Sequence, residues 1–465
     1  MSTSSRSSGN DRHQDSSRAN AATDAAREHP PVATLVVFAR YPQPGRCKTR
    51  LIPALGAERA AELHGEMVRR SLWQCDELRR LSADPVRVVI EYDGATRDDM
   101  ASFVGADREL SAQCEGDLGE RLAHAARVAF DAGTLRLVMI GTDCPALTAE
   151  LLQKALEALK RCDLVLGPAS DGGYYLIGLR RFHAELFESM PWSTDRLLAQ
   201  TLNAAERCGL MAELLPVLDD VDLPEDLSVW EQHRHQQSCH TTVVIPTFNT
   251  EPRLEAAIAS ARQAAGVEVI VVAAGDVTES RRVASRTGCR FLESPAGRGR
   301  QLNAGARVAL GEHLLFLHAD TELPSGWDAE VRRVLSIERT IGGAFPVRLD
   351  APGWRLRLIE RGIAIRSRWL QWPYGDQALF LKREVFRQQG GFPELPLMED
   401  FAFVRRLKSN GTIRLAALPV ITSARRWLRL GAWRVTLINQ LMVAGFLLGV
   451  PMRHLVRLYN RRAGL

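Results

Sequence analysis

Three things are missing from this sequence: any Asp or Glu after Asp400, any C-x-x-C pair among its eight cysteines, and any long uninterrupted apolar run. A spanning helix needs roughly 20 apolar residues, so an ordinary membrane anchor is not expected. The cysteines (Cys47, Cys75, Cys114, Cys144, Cys162, Cys208, Cys239 and Cys289) are scattered, which excludes a dense disulfide framework or a paired-thiolate zinc site. They read as small buried hydrophobes in a reducing compartment. The first 32 residues contain no Leu, Ile or Phe and seven Ser, too little to bury a core, and the segment is expected to be disordered. It has no apolar signal-peptide core either, so a cytoplasmic protein is expected.

What is present starts with an uneven charge. The formal balance is only +5, too mild to suggest a nucleic-acid partner, yet twelve Lys and Arg follow Asp400. A basic tail on an acidic body suggests a surface that meets anions such as lipid headgroups, a peripheral contact with the inner face of a membrane. Within that tail, Leu437 to Val450 is apolar but interrupted by Asn439 and Gln440. It reads as a buried terminal helix, an interfacial segment flanked by arginines, or, least well, a span.

The length of 465 residues suits two to three domains. A polar linker, residues 231–240, separates two halves that begin alike. Thr34-Leu-Val-Val-Phe-Ala and Thr242-Val-Val-Ile-Pro-Thr are β-branched runs of the kind that parallel strands covered on both faces require. Helical and strand patterns then alternate in each half, which predicts two tandem α/β domains with mostly parallel sheets. The expected division is a tail over 1–32, a domain over 33–230, the linker, a second domain over 241–426, and a basic, apolar helical extension over 427–465. Ligands of such sheets bind beyond the carboxyl ends of the strands, where each half places an Asp, Asp143 and Asp320.

In the second half, Asp320 ends a buried strand, where a carboxylate needs hydrogen bonds or a cation, and Mg²⁺ or Mn²⁺ suits a lone oxygen ligand that shares its ion with phosphates. The run Arg298-Gly-Arg-Gln-Leu-Asn303 offers two guanidiniums, Arg298 and Arg300, for phosphate. Asp376 with Gln377, and Glu399 with Asp400, follow in short polar motifs. In the first half, Arg46, Lys48 and Arg50 crowd a Pro-Gly turn that can present cations and N–H groups to a diphosphate or triphosphate. Asp143 and Asp222 are candidates to share a divalent cation, and Asp171 to contact sugar or metal; the glycines at 172 and 173 allow a ligand close approach. The tryptophans Trp354, Trp369 and Trp372 are candidates to stack on sugar or lipid, or to pack in the core.

The second-half motifs GRGRQLNAGA, LLFLHADTELP, GDQ and the Glu-Asp pair resemble a family 2 glycosyltransferase of the GT-A fold, in the subgroup named for arsenosugar biosynthesis and also labelled radical-SAM/selenodomain-associated. The resemblance implies that Asp320 of His318-Ala-Asp320 holds the metal on a nucleotide-sugar diphosphate. It implies that Asp400 takes the proton from a small-molecule or lipid hydroxyl acceptor, that Glu399 assists, that Arg298, Arg300, Asn303, Asp376 and Gln377 bind substrate, and that the anomeric carbon inverts. One position departs from the pattern: the second strand ends Val272-Ala-Ala-Gly-Asp276, where family 2 members usually carry an Asp that reads the base. The first-half strings FARYPQPGRCKTRL, GTDCP and GPASDGGYY resemble the DUF2064 family, which is similar to the guanylyltransferase of coenzyme F420 biosynthesis. That implies a GT-A-like fold and a nucleotide- or nucleotide-sugar-handling role, with nucleotidyl transfer as one form of it. Two other readings stand beside a bifunctional transferase: a glycosyltransferase whose first half only binds, and a nucleotide-binding scaffold without turnover.

Overall fold

The computed structural model describes residues 33–233 and 239–463. The expected disordered tail and the middle of the linker, 234–238, lie outside the described residues. The described residues divide into two compact units, one of 33–40, 75–93 and 110–222, the other of 41–74, 94–109, 223–233 and 239–463.

The first sheet contains β1 (Ala33–Arg40), β2 (Val86–Asp93), β3 (Glu109–Ala112), β4 (Arg136–Ile140), β5 (Leu164–Pro168), β6 (Tyr174–Leu179) and β7 (Ala212–Leu214), in the order β3-β2-β1-β4-β6-β5-β7. The pairs β1–β2, β1–β4 and β5–β7 are parallel, while β6 runs antiparallel to both β4 and β5. Leu35 and Val37 are fully buried and Val36 nearly so. A strand covered on both faces needs such a continuous apolar run. Among the covering helices, Leu118–Asp131 begins with a reciprocal capping box between Asp117 and Glu120, which satisfies two of its orphan N–H groups.

The second sheet repeats this plan. It holds β8 (Thr241–Phe248), β9 (Val267–Ala274), β10 (Arg290–Glu293), β11 (His313–Phe316), β13 (Thr340–Ala344), β15 (Leu379–Lys382) and β16 (Thr412–Leu415), in the order β10-β9-β8-β11-β15-β13-β16. Again one strand, β15, is antiparallel to both neighbours. A small sheet, β12 (Thr321–Glu322), β17 (Val420–Thr422) and β14 (Val347–Leu349), follows the end of β11. Val243 and Ile245 enter one core and Val244 the other, as the period of two along a strand demands.

Of the helices of this half, α1 (Arg298–Val308), α3 (Glu399–Lys408), α4 (Arg425–Leu430), α5 (Ala432–Leu447) and α6 (Met452–Ala463) border the site, and α2 (Trp354–Ile365) packs on the core. Among the described residues no helix is long and apolar enough to cross a membrane, so the spanning reading of 437–450 falls away. The stretch is helical from Ala432 and buries Val435, Ile438, Met442 and Val443.

Candidate active site

The carboxyl end of β11 leads through His318 to Asp320, and six further elements converge there: the N-termini of α1 and α3, the turn Gly375–Gln377, and the helices α4, α5 and α6. They enclose a cavity of about 630 Å³ whose lining includes Arg298, His318, Asp320, Asp376, Glu399 and Asp400. These residues were candidates on sequence grounds, and His318 was the first position of the matched triplet. The structure brings all six together.

Arg298 organises the group. Its guanidinium donates to His318 Nε2 and pairs with Glu399 Oε1 at 3.4 Å. Burial, reinforced by Arg298, holds the His318 pKa well below the ordinary imidazole value, so the ring is neutral and accepts that bond. Glu399 is buried, which raises its pKa; Arg298 opposes the shift and Asp400 adds to it. Asp400 accepts from the backbone N–H of Gly375 through Oδ2 and of Phe401 through Oδ1, each at 2.7 Å. A Cβ at Gly375 would lie 2.9 Å from Asp400 Oδ2 and 3.0 Å from Arg298 Cζ, so a larger residue there would displace those two side chains. Asp376 is raised by burial, and its Oδ1 is buried without a hydrogen-bond partner. Non-glycine residues in the left-handed region flank both acid motifs, Ala378 (φ 45°) and Met398 (φ 66°), a form of strain that tends to collect at functional sites.

Asp320 lines the same cavity. Burial and the neighbouring Glu251 raise its pKa, while Arg425 and Arg253 pull it down. Arg425 holds Glu251 at 2.8 and 2.9 Å and lies 3.7 Å from Asp320 Oδ2. The lining also includes Arg426, Trp427, Arg429, Asn439, Met442 and Tyr459 from the C-terminal helices. The tail expected as an extension therefore forms a wall of the cavity. Phe401 of α3 meets Phe446 of α5 edge-on at 5.8 Å, and Arg426 stacks on Tyr459 at 5.1 Å. The sequence signal for this wall was the density of arginines in the tail, which sequence reasoning connected with a membrane contact and not with the cavity.

Three expected substrate contacts are placed elsewhere. Gln377 is fully buried; its amide donates to Phe345 O and its Oε1 accepts from Arg366, Ser367 and the Tyr374 N–H. Asn303 is spent on both backbone groups of Phe392 at 2.9 Å. Arg300 pairs with Glu394 at 2.7 Å and is not in the cavity lining. Asp276 is exposed, and its Oδ1 accepts from the Thr278 N–H in the first turn of the helix Thr278–Thr287. Ala273 and Ala274 are buried at the end of β9. Trp372 packs edge-on against Phe401 at 5.3 Å, whereas Trp354 and Trp369 are exposed.

In the first sheet, Asp143 follows β4. The Val221 N–H donates to Asp143 O at 3.0 Å, which sets Asp222 beside it, and Leu218 exchanges backbone bonds with Pro168 and Ser170. Asp171, exposed, caps its own turn through the Gly173 N–H at 2.8 Å. Gly172 (φ +87°) does make a close approach, but to the chain's own backbone: a Cβ there would stand 2.6 Å from Asp195 Cα. The close packing that the sequence reserved for a ligand is thus internal. Arg46 and Arg50 are exposed, and Lys48 is half-buried in the left-handed region (φ 45°). Among the described residues no three His, Cys, Asp or Glu gather as a metal cage would require.

Two family models match the chain, one described as "Uncharacterized protein conserved in bacteria (DUF2064)" over residues 77–194 and one as "Glycosyl transferase family 2" over residues 242–392. The chain joins a DUF2064 domain to a family 2 glycosyltransferase domain. Among solved structures, a putative nucleotide-diphospho-sugar transferase from Desulfovibrio desulfuricans G20 is 34% identical, over 45% of this chain and 90% of that one, with a TM-score of 0.41. S. aureus TarS is 16% identical over 42% of this chain and 38% of that one, TM-score 0.33. TarS 1–349 in complex with UDP-GlcNAc is 18% identical over 40% of this chain and 58% of that one, TM-score 0.31. The chain thus spans less than two thirds of these two TarS chains. No curated protein matches it. The family 2 model ends before Glu399, so Asp400 and the arginines of α4 lie beyond the matched residues.

Proposed function

We propose that the family 2 domain transfers a sugar from a nucleotide-sugar to a hydroxyl acceptor with inversion, and that the DUF2064 domain handles a nucleotide or nucleotide-sugar. The observation that supports this most is the composition of one cavity, which lines four carboxylates, Asp320, Asp376, Glu399 and Asp400, with four guanidiniums, Arg298, Arg425, Arg426 and Arg429. Guanidiniums suit a diphosphate, which must be neutralised as it leaves. Asp400, fixed in place by the two backbone N–H groups it accepts from, suits the base that takes the acceptor hydroxyl proton. Glu399 and Arg298 position one another beside it, and the unpartnered Asp376 Oδ1 suits a sugar hydroxyl. Direct displacement at the anomeric carbon gives inversion.

The residues fit a divalent cation through Asp320. Its carboxylate is half-buried beside Glu251, so a cation there would relieve the unfavourable charge. Mg²⁺ or Mn²⁺ takes one or two protein carboxylates and completes its shell with phosphate oxygens and water; bound in this way it would neutralise the leaving diphosphate. Asp143 with Asp222 is the corresponding pair in the DUF2064 domain.

The test is nucleotide release from UDP-, GDP-, ADP- and dTDP-sugars by the full chain with Mg²⁺ or Mn²⁺. Release with one base, lost in Asp400→Asn and Asp320→Asn, supports transfer. Tight nucleotide binding with no release for any donor and a range of hydroxyl acceptors would support the scaffold reading. That reading is favoured by one observation, the buried Ala273 and Ala274 at the strand end where a base-reading carboxylate is usual. A cytoplasmic location, peripheral to the membrane, accords with the basic tail.

A further inference from the structure

Helix α2 and its continuation through the π-turn Arg366–Leu370 bury Leu356 and Ile359 in the core and turn the other side outward. Along that side Trp354, Leu358, Ile365 and Trp369 recur at intervals of four, seven and four residues, the spacing of one helical stripe, and all are exposed. Trp369 is 79% exposed, unusual for a residue whose burial is so favourable. Helix α5 does the same. Its inner face enters the core and cavity, while Trp433, Leu437, Leu441 and, just past its end, Leu448 form an outer stripe at intervals of four, four and seven, with Leu448 83% exposed. The two helices touch, and Ala432 and Trp427 pack on the same core as α2, so the two stripes belong to neighbouring helices.

Charge specifies the occupant. Arg355, Arg361 and Arg368 flank the first stripe, all exposed, and Arg434 and Arg453 accompany the second, also exposed. No Asp or Glu occurs in α4, α5 or α6. The one acid of α2, Glu360, is turned inward against Arg357 and the Leu349 N–H. Exposed tryptophans beside arginines, in helices that carry no exposed acid, match the boundary between acyl chains and anionic headgroups. Among the described residues no helix is long and apolar enough to cross a membrane, so a contact of this kind would lie at the surface.

We propose that the outer faces of α2 and α5 together form a docking surface for an anionic lipid bilayer. This extends the contact expected from the basic tail to a second helix that the tail's composition does not include. It does not depend on sugar transfer. Because the opposite face of α5 lines the cavity through Asn439, Met442 and Val443, docking also sets that cavity beside the headgroup layer.

The test uses the full chain with vesicles of phosphatidylcholine alone or with about a third phosphatidylglycerol, read by flotation and by quenching of tryptophan with brominated lipids. Binding is expected to the anionic vesicles and to fall steeply between low and high salt. The triple variant Trp354→Ser, Trp369→Ser, Trp433→Ser should lose at least tenfold in partitioning with its melting temperature unchanged. Arg355→Gln with Arg361→Gln and Arg368→Gln should lose roughly fivefold per guanidinium on anionic vesicles. The proposal is overturned by absence of binding to anionic vesicles at low salt, by tryptophan variants that bind as well as the parent, or by a dimer in solution that these substitutions break.

Discussion

Replacing Asp400 by Asn separates a catalytic carboxylate from a structural one. Each oxygen of Asp400 accepts a backbone N–H at 2.7 Å. Asn keeps the shape but turns one acceptor into a donor facing an N–H, so one charge-assisted hydrogen bond is lost. For a half-buried site that costs about 1.5 kcal/mol, the lower end of the range for bonds to charged groups. In a domain of this size it should lower the melting temperature by roughly 3–6 °C. Loss of the general base should cost a factor of about 10²–10⁴ in turnover, or roughly 3–5 kcal/mol of barrier. The rate effect therefore exceeds the stability effect, and the two separate well below the melting temperature. The assay is nucleotide release at 25 °C with saturating donor and acceptor, beside a thermal melt and nucleotide binding. Turnover within tenfold of the parent, in protein shown to be folded, would refute the assignment of Asp400 as base.

Four further outcomes are expected. Gly375→Ala places a methyl group against Arg298 and Asp400, and should lower turnover at least tenfold while leaving nucleotide affinity within a few-fold. Arg298→Met leaves Glu399, 7% exposed, without its counter-charge; with the arginine itself a third open to solvent, urea unfolding should show a loss of about 2–3 kcal/mol. Asp320→Asn should reduce Mn²⁺-dependent binding of nucleoside diphosphate, measured by calorimetry, more than it reduces metal-free binding. His313 is held at a pKa of about 4 by burial, with Lys382, His240 and Arg332 pushing the same way and Glu312 opposing. Only the unfolded chain takes up that proton between the unperturbed value near 6.5 and about 4, so stability falls as pH falls through this window. Between pH 7.5 and 5 the loss is about 2 kcal/mol, and His313→Leu should remove it from the pH dependence of denaturant midpoints.

The sequence by itself determined the architecture, because the decisive information was local. The apolar run at Thr34 could only be a covered strand, and β1 through Arg40 is buried almost throughout. The second run, at Thr242, behaves alike, and β8 is buried from Thr241 through Ile245. The positions of Asp143 and Asp320 were legible for the same reason, since each follows an apolar run that forms a strand, β4 and β11. Periodicity carries no direction, however, so the antiparallel course of β6 and β15 came only with the pairing.

Tertiary structure alone decided which polar residues remain available to a ligand. Gln377 and Asn303 have the right chemistry, yet buried backbone groups claim their hydrogen bonds, because leaving those groups unpaired would cost more than a surface contact returns. Arg425 reads as one basic tail residue among many until α4 folds back, where it stands 3.7 Å from Asp320, 105 positions earlier in the chain. Long-range pairing of this kind is set by the packing of Phe401 on Phe446 and by the shared core beneath α2 and α5. Such contacts follow from complementary surfaces, which a one-dimensional pattern of residue types does not encode.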